Sequence, residues 1–219
     1  MENVISKVLK KPNATAIVQE LNEIIKKEHL KRIAFYDWVE DNQKAEFING
    51  SIIVHSPATK KHLEVSELLS FLIGYYIRKY NLGRCYVEKA MISLTRNDYE
   101  PDLVFFSNEK LALIDDNTVL FPAPDFVVEI LSKSTQKTDR TIKKEDYALH
   151  RIKEYWIIDP DRKIIEQYLL INDKETTYFE PYIYRRGDDI SSKVITGFEI
   201  PVESIFDYQI NMETIKKWI

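Results

Sequence analysis

Residues 124–147, PDFVVEILSKSTQKTDRTIKKEDY, constrain the fold of this chain more than any other stretch. Phe126-Val127-Val128 and Ile130-Leu131 form a short apolar run rich in β-branched residues, the pattern of a strand buried on both faces. One carboxylate, Glu129, stands inside it. An ionised carboxylate is costly to bury unless it is paired, hydrogen-bonded or bound to a metal. The chain then turns polar through residues 132–138. Asp139, Lys143 and Tyr147 follow at spacings of four, which stacks them on one face of a helix. A buried acid followed by a lysine-bearing helix points to an α/β layer with chemistry at one end of its sheet.

The rest of the chain supplies that sheet. Residues 84–95 read as a strand with Tyr86, Ala90, Ile92 and Leu94 on one face. Residues 102–106 form a second strand, opened by Asp102. Residues 154–159, EYWIID, form a further one, ended by Pro160. With the strand at 126–131 these four make the predicted sheet centre of a mixed α/β fold. Before them, residues 59–80 carry an apolar stripe (Val65, Leu68, Leu69, Leu72, Ile73, Tyr76) at helical spacing. Thr59 is its N-cap, and Asn81-Leu82-Gly83 closes it. Residues 44–54 read as a hairpin, because Asn49-Gly50 between β-prone arms is a strong two-residue turn signal. Residues 14–30 form an amphipathic helix, with a second helical piece expected at 35–42. Residues 110–122 read as a short helix and loop. After the strand at 154–159, residues 163–171 and 176–186 read as a hairpin about Asn172-Asp173, and Pro181 argues that the second arm is a sheet edge or carries a bulge. No linker divides the chain. We therefore expect a single domain over 1–219: an N-terminal helical extension (1–43), a core (44–160) and a β-rich C-terminal part (161–219).

Composition excludes several function classes. The net charge is −4 and the pI about 5.7, so any polyanion site must be local. The one local concentration is at residues 133–153, where seven basic residues meet three acids. A solvated helix face would look the same, yet a phosphate-binding surface is wanted there. The single cysteine, Cys85, allows no intrachain disulfide, and no apolar run reaches membrane-spanning length. The expected location is cytoplasmic, with no membrane partner. Five glycines and four histidines are too dispersed for a phosphate-cradling loop or a zinc-binding HExxH helix.

A carboxylate pair remains. If the strands of Asp102 and Glu129 are neighbours, the two acids converge on one end of the sheet. Their repulsion is relieved by a hard divalent cation with oxygen ligands, and Mg²⁺ suits one or two carboxylates. Such a cation beside a lysine suits a phosphodiester: the metal polarises the phosphate and activates water, and the lysine stabilises developing charge. Each group also has a blander role. Asp102 could cap backbone amides, Glu129 could form a buried ion pair with Lys143, and Lys143 could pair with Asp139 along the helix. Asp125 reads as structural, and Glu46 and His62 could serve the site or only the fold.

Pro101-Asp102 followed by an acid in a buried strand resembles the PD-(D/E)XK nuclease superfamily. A longer string resembles the Uma family of restriction-endonuclease-like proteins. It comprises Glu46-Phe-Ile-Asn-Gly50, Ser56-Pro57 with His62, Pro101-Asp102-Leu-Val104, Pro124-Asp125-Phe-Val-Val-Glu129-Ile-Leu-Ser132, Ser134-Thr135 with Asp139, Lys143 and Tyr147, and Glu154-Tyr-Trp-Ile-Ile-Asp-Pro160. The resemblance implies a restriction-endonuclease-like core, a mixed central sheet flanked by helices. It also implies a Mg²⁺-dependent endonuclease that hydrolyses DNA, with Mn²⁺ as an alternative ion, acting as a homodimer. The metal ligands would be Asp102, Glu129 and the backbone carbonyl of Ile130, and the catalytic residues Asp102, Glu129 and Lys143. Glu46, His62, Asp125 and Tyr147 are secondary candidates. This chain departs from the pattern at Leu131, where the superfamily lysine normally stands, so Lys143 would supply that charge from the following helix. It departs again at Ser51, where an acid is more usual. The alternative is a nuclease-fold protein that has lost catalysis and binds nucleic acid or a protein partner.

Overall fold

The computed structural model describes residues 2–39, 44–172 and 174–219. They form two compact units. One holds the residues up to His55 together with Thr95–Asp98; the other holds Ser56–Leu94 and Tyr99–Ile219.

The first unit starts with helices α1 (Glu2–Leu9) and α2 (Ala14–Trp38). The two helical pieces expected at 14–30 and 35–42 are one uninterrupted helix as far as Trp38, because nothing between Leu30 and Phe35 breaks a helix; positions 40–42 lie outside the described residues. Leu21, Ile24 and Ile25 of the amphipathic stripe stand exposed, and only Arg32 and Phe35 of α2 are buried. Arg32 grips Asp98 through two 2.6 Å hydrogen bonds, and Tyr36 donates to the same carboxylate at 3.0 Å. Strands β1 (Ala45–Ile48) and β2 (Ser51–Val54) form the expected hairpin. Its turn residues Asn49 and Gly50 have φ of 49° and 79°, the two positive values that a tight type I′ turn demands.

The second unit is built on α3 (Lys60–Lys79) and a six-stranded sheet. The strands of this unit, six of them in that sheet, are β3 (Gly83–Val87), β4 (Met91–Ser93), the end of β5 (Asp98–Tyr99), β6 (Leu103–Ser107), β7 (Leu120–Phe121), β8 (Phe126–Ile130), β9 (Glu154–Asp159), β10 (Ile164–Leu169), β11 (Tyr182–Tyr184), β12 (Asp189–Ser191) and β13 (Glu199–Pro201). The sheet order is β11-β10-β9-β8-β6-β3. Three of the strands expected at the centre lie in it side by side with β3, the first part of the expected strand at 84–95, whose second part, β4, lies in another sheet; β11 takes the edge, one of the two places that Pro181 allowed. The turn of that hairpin includes position 173, outside the described residues. Residues 110–122 hold less helix than expected: α4 (Asn108–Leu111) starts earlier and is one turn long, and β7 pairs in parallel with β4.

Within the six-stranded sheet only β8 and β9 are parallel neighbours, so the chain between them must cross over one face of the sheet. The crossover is helical: α5 (Gln136–Thr138), a π-helical turn over Asp139–Lys143, then α6 (Lys144–Leu149). The opposite face is covered by α3 and the C-terminal elements. Val65, Leu69, Leu72 and Ile73 of α3 meet Phe126, Val128 and Ile130 of β8, Trp156 of β9, and Ile190, Phe198 and Ile200 from the tail. Each such side chain contributes about 1.5–3 kcal/mol by leaving water. Alternation along β8 turns Phe126, Val128 and Ile130 to this core and Val127 and Glu129 to the crossover helix. The tail ends in α7 (Tyr208–Lys216), whose Asn211 side-chain amide donates to the Leu68 carbonyl at 2.9 Å.

Candidate active site

The antiparallel register of β6 and β8 pairs Leu103 with Val128, and one step further it sets Asp102 opposite Glu129. The two acids therefore stand at the same edge of the sheet, where β8 and β9 end and β6 begins. Both are buried, at 3% and 4% exposure. Their side chains reach different partners.

Glu129 faces the crossover helix. Its Oε1 accepts from Lys143 Nζ at 2.9 Å and from the Tyr147 hydroxyl at 2.8 Å. Lys143 Nζ also lies 3.5 Å from Asp139 Oδ1 and 5.6 Å from the centre of the Tyr99 ring. The expected stack of Asp139, Lys143 and Tyr147 is thus aimed at Glu129. The local sequence makes this so. The Ser132 hydroxyl shares hydrogen bonds with the Ser134 and Thr135 hydroxyls, each at 3.0 Å, and accepts from the Thr135 amide at 3.2 Å. That turns the chain back sharply after β8. The wider π turn, a feature frequent at functional sites, then carries Asp139 and Lys143 inward to 1% and 2% exposure. It is held from both sides. Tyr155 donates to the Asp139 carbonyl at 3.2 Å, and Arg140 clasps Glu166 of β10 at 2.6 Å. Burial, with the Asp139 and Glu129 charges adding to it, pushes the Tyr155 phenol far above its ordinary range, so it remains a donor. Leu131, in the superfamily's usual lysine position, is buried; Lys133 is exposed in the loop, and Lys144 lies over the Tyr168 ring at 5.5 Å.

Asp102 is held by the next residue of β8 and by α3. Its Oδ2 accepts from the Ile130 amide at 2.7 Å, and its Oδ1 lies 3.3 Å from His62 Nε2. So Ile130, expected to offer its carbonyl, meets Asp102 through its N–H. Glu88 completes the group. Among the described residues, His62, Glu88 and Asp102 each offer a ligand atom, and these atoms all lie within 4.8 Å of one another. One imidazole and two carboxylates are a donor set that suits a divalent cation. The two halves of the site are joined through the backbone of Glu129-Ile130.

Glu88 was missed from the sequence because residues 84–95 read as one strand. The chain breaks there. Glu88 and Lys89 both have φ of 51°, the Glu88 amide donates to the Asp102 carbonyl at 3.0 Å, and the turn brings its side chain to Asp102. One signal was present: on the face of Tyr86, Ala90, Ile92 and Leu94, position 88 alone carries a charge.

Two secondary candidates stand elsewhere. Asp125 lies at the other end of β8, where it accepts from the Ser107 amide at 2.9 Å and faces Lys110 at 3.3 Å. Glu46, in the first unit, is buried 3.0 Å from His55 Nε2. The basic concentration at 133–153 does not form one surface. Lys143 and Arg140 are paired as above, whereas Arg151 and Lys153 lie just before β9, at the sheet's other end.

A family model named Uma2, described as "Putative restriction endonuclease", matches residues 31–203. The chain belongs to the Uma2 family. The match spans the whole of the site above, from His62 to Tyr147, and the sheet that carries it. No curated protein matches the chain. Among solved structures, one described as a "putative nuclease belonging to DUF820" from Anabaena variabilis superposes with a TM-score of 0.68 at 19% identity, covering 78% of this chain and 94% of that one. The shared fold is the restriction-endonuclease-like arrangement, a mixed sheet flanked by helices, with the N-terminal helices and the β-rich tail added. No described helix is long and apolar enough to cross a membrane.

Proposed function

We propose that this Uma2 protein is a divalent-metal-dependent endonuclease that hydrolyses DNA phosphodiester bonds. The observation that carries the reading is the convergence of His62, Glu88 and Asp102 at the sheet edge where Lys143 reaches Glu129. Asp102, with Glu88 and His62, would hold Mg²⁺ or Mn²⁺, and Glu129 and the Ile130 carbonyl are the further ligands that family resemblance adds. The bound cation would polarise a phosphate oxygen and lower the pKa of a water.

This chain's own residues do the rest. The Ile130 amide fixes the orientation of the Asp102 carboxylate, and Thr59, whose hydroxyl accepts from the His62 amide, fixes the first turn of α3 and so the imidazole. Lys143 carries the positive charge that orients the attacking water and offsets charge developing on the phosphate. Tyr147 holds Glu129, and Asp139 holds Lys143, at the end of the buried π turn. Glu129 and Asp139 lie 2.9 and 3.5 Å from Lys143, the one lysine buried among the described residues, and Glu88 and Asp102 stand together at the same edge; this surplus of negative charge favours a cation.

Supercoiled plasmid with Mn²⁺ or Mg²⁺ tests the reading. The protein is expected to nick it and to stop on chelation, with Asp102→Asn and Lys143→Ala each slowing nicking by about a hundredfold or more. Absence of nicking with either ion, or nicking that survives Asp102→Asn, would overturn it. The resemblance that suggests catalysis also suggests a homodimer.

A further inference from the structure

The opposite edge of the six-stranded sheet holds a cavity that the proposed reaction does not use. There β8 and β9 begin and β6 and β10 end. Because β8 is five residues long, the two edges are about 16 Å apart at about 3.3 Å per residue. The cavity has a volume of about 820 Å³ and is lined by Lys110, Arg151, Lys153 and Lys193 against the acids Glu109 and Asp125. Asp125 is already engaged by the Ser107 amide and by Lys110. Lys110, itself partly buried, also donates to the Ala123 carbonyl at 2.8 Å. Burial holds its ammonium below the usual lysine range, partly offset by Asp125, and the like charge of Lys153 adds to the depression. Lys153 and Lys193 are exposed, and neither has an ion-pair partner among the described residues.

Positive charge thus converges on a concave site in a chain that is −4 overall. Such a site attracts an anion, and lysines bind phosphate as compact point charges. The volume lies in the range of small-ligand pockets, about 300–1,000 Å³, and exceeds what a bare phosphate fills. The rest of the lining is of two kinds: apolar side chains such as Leu82, Leu169 and Val194, and the amides of Asn81 and Asn172. Apolar walls with a few amides suit a heterocycle and its sugar. We infer that this cavity binds a nucleotide-sized phosphomonoester, with the phosphate on Lys110, Lys153 and Lys193, at a site separate from the metal cluster.

Calorimetric titration in EDTA with deoxynucleoside 5′-monophosphates, and separately with a duplex DNA dodecamer, tests this without any cleavage step. At least one mononucleotide is expected to bind the wild-type protein and Asp102→Asn alike, and at least tenfold more weakly to the double variant Lys153→Glu/Lys193→Glu. Both lysines are exposed, so that variant should fold and still nick plasmid; Lys153→Gln/Lys193→Gln serves if charge reversal impairs folding. Three results would overturn the inference: no mononucleotide binding, binding unaffected by either lysine pair, or binding of the duplex alone. The last would assign the cavity to the DNA backbone. Failure of plasmid nicking would leave this site untouched, so the two proposals fail separately.

Discussion

Glu129 and Lys143 form the chain's buried ion pair at the site edge, at 4% and 2% exposure and 2.9 Å apart. Removing one partner of such a pair leaves a charge in a dry environment and typically costs about 3–5 kcal/mol, whereas replacing both can be close to neutral. Lys143→Met and Glu129→Leu should therefore each destabilise the protein by about that much, and the double variant by clearly less than their sum. Urea denaturation of the four proteins checks this, and simple additivity would show that the pair is not coupled. Tyr147→Phe should cost about 1.5–3 kcal/mol, since its hydroxyl donates to the same carboxylate. This pair was legible from residue types alone: an acid inside an apolar strand needs a partner, and a lysine sharing a helix face with Asp139 and Tyr147 was the one within reach. Glu88 was marked only by its charge on an otherwise uncharged strand face, because two consecutive left-handed residues without a glycine leave no turn signature in the sequence.

At the level of elements, what could be read was whatever depends on periodicity. The helix at 60–79, the strands β6, β8 and β9, and the Asn49-Gly50 hairpin all follow from spacing, whereas the pairing of β6 with β8 was only a condition that the register now meets. The crossover helix was legible as a helix, but its π turn was not. The π geometry depends on Tyr155 and Arg140 gripping the backbone and Glu166 from elsewhere in the sheet, contacts that no local pattern reveals. The break between β3 and β4 has the same origin, because the Asp102 carbonyl captures the Glu88 amide. Gly83, expected to close α3, instead opens β3 beyond the Tyr80 C-cap and is tightly constrained there. Its φ is 151°, and a Cβ there would stand 2.1 Å from the Phe106 carbonyl oxygen. Gly83→Ala should force β3 away from β6 and lower stability by about 1–3 kcal/mol. An unchanged melting temperature would mean that this strand pair shifts without cost.

Across the whole molecule, the sheet separates two kinds of chemistry. One edge brings together carboxylates, a histidine and a buried lysine; the other gathers lysines around a cavity. The net charge of −4 conceals both, and only the chain's path, which sends residues 139–143 to one edge and 151–153 to the other, divides the basic run between them. The N-terminal unit adds an exposed apolar stripe on α2, and a homodimer formed through it is the assembly we propose. Sedimentation should then give a dimer mass for the wild-type protein and a monomer for Leu21→Glu/Ile25→Glu; a wild-type monomer at micromolar concentration would remove the proposal. The central claim, that the sheet edge is a metal centre, is tested most directly by anomalous diffraction from crystals soaked in Mn²⁺. The account predicts a peak bounded by His62, Glu88 and Asp102 that disappears in Asp102→Asn. A soaked crystal with no peak at that edge, or with the peak unchanged in the variant, would contradict it.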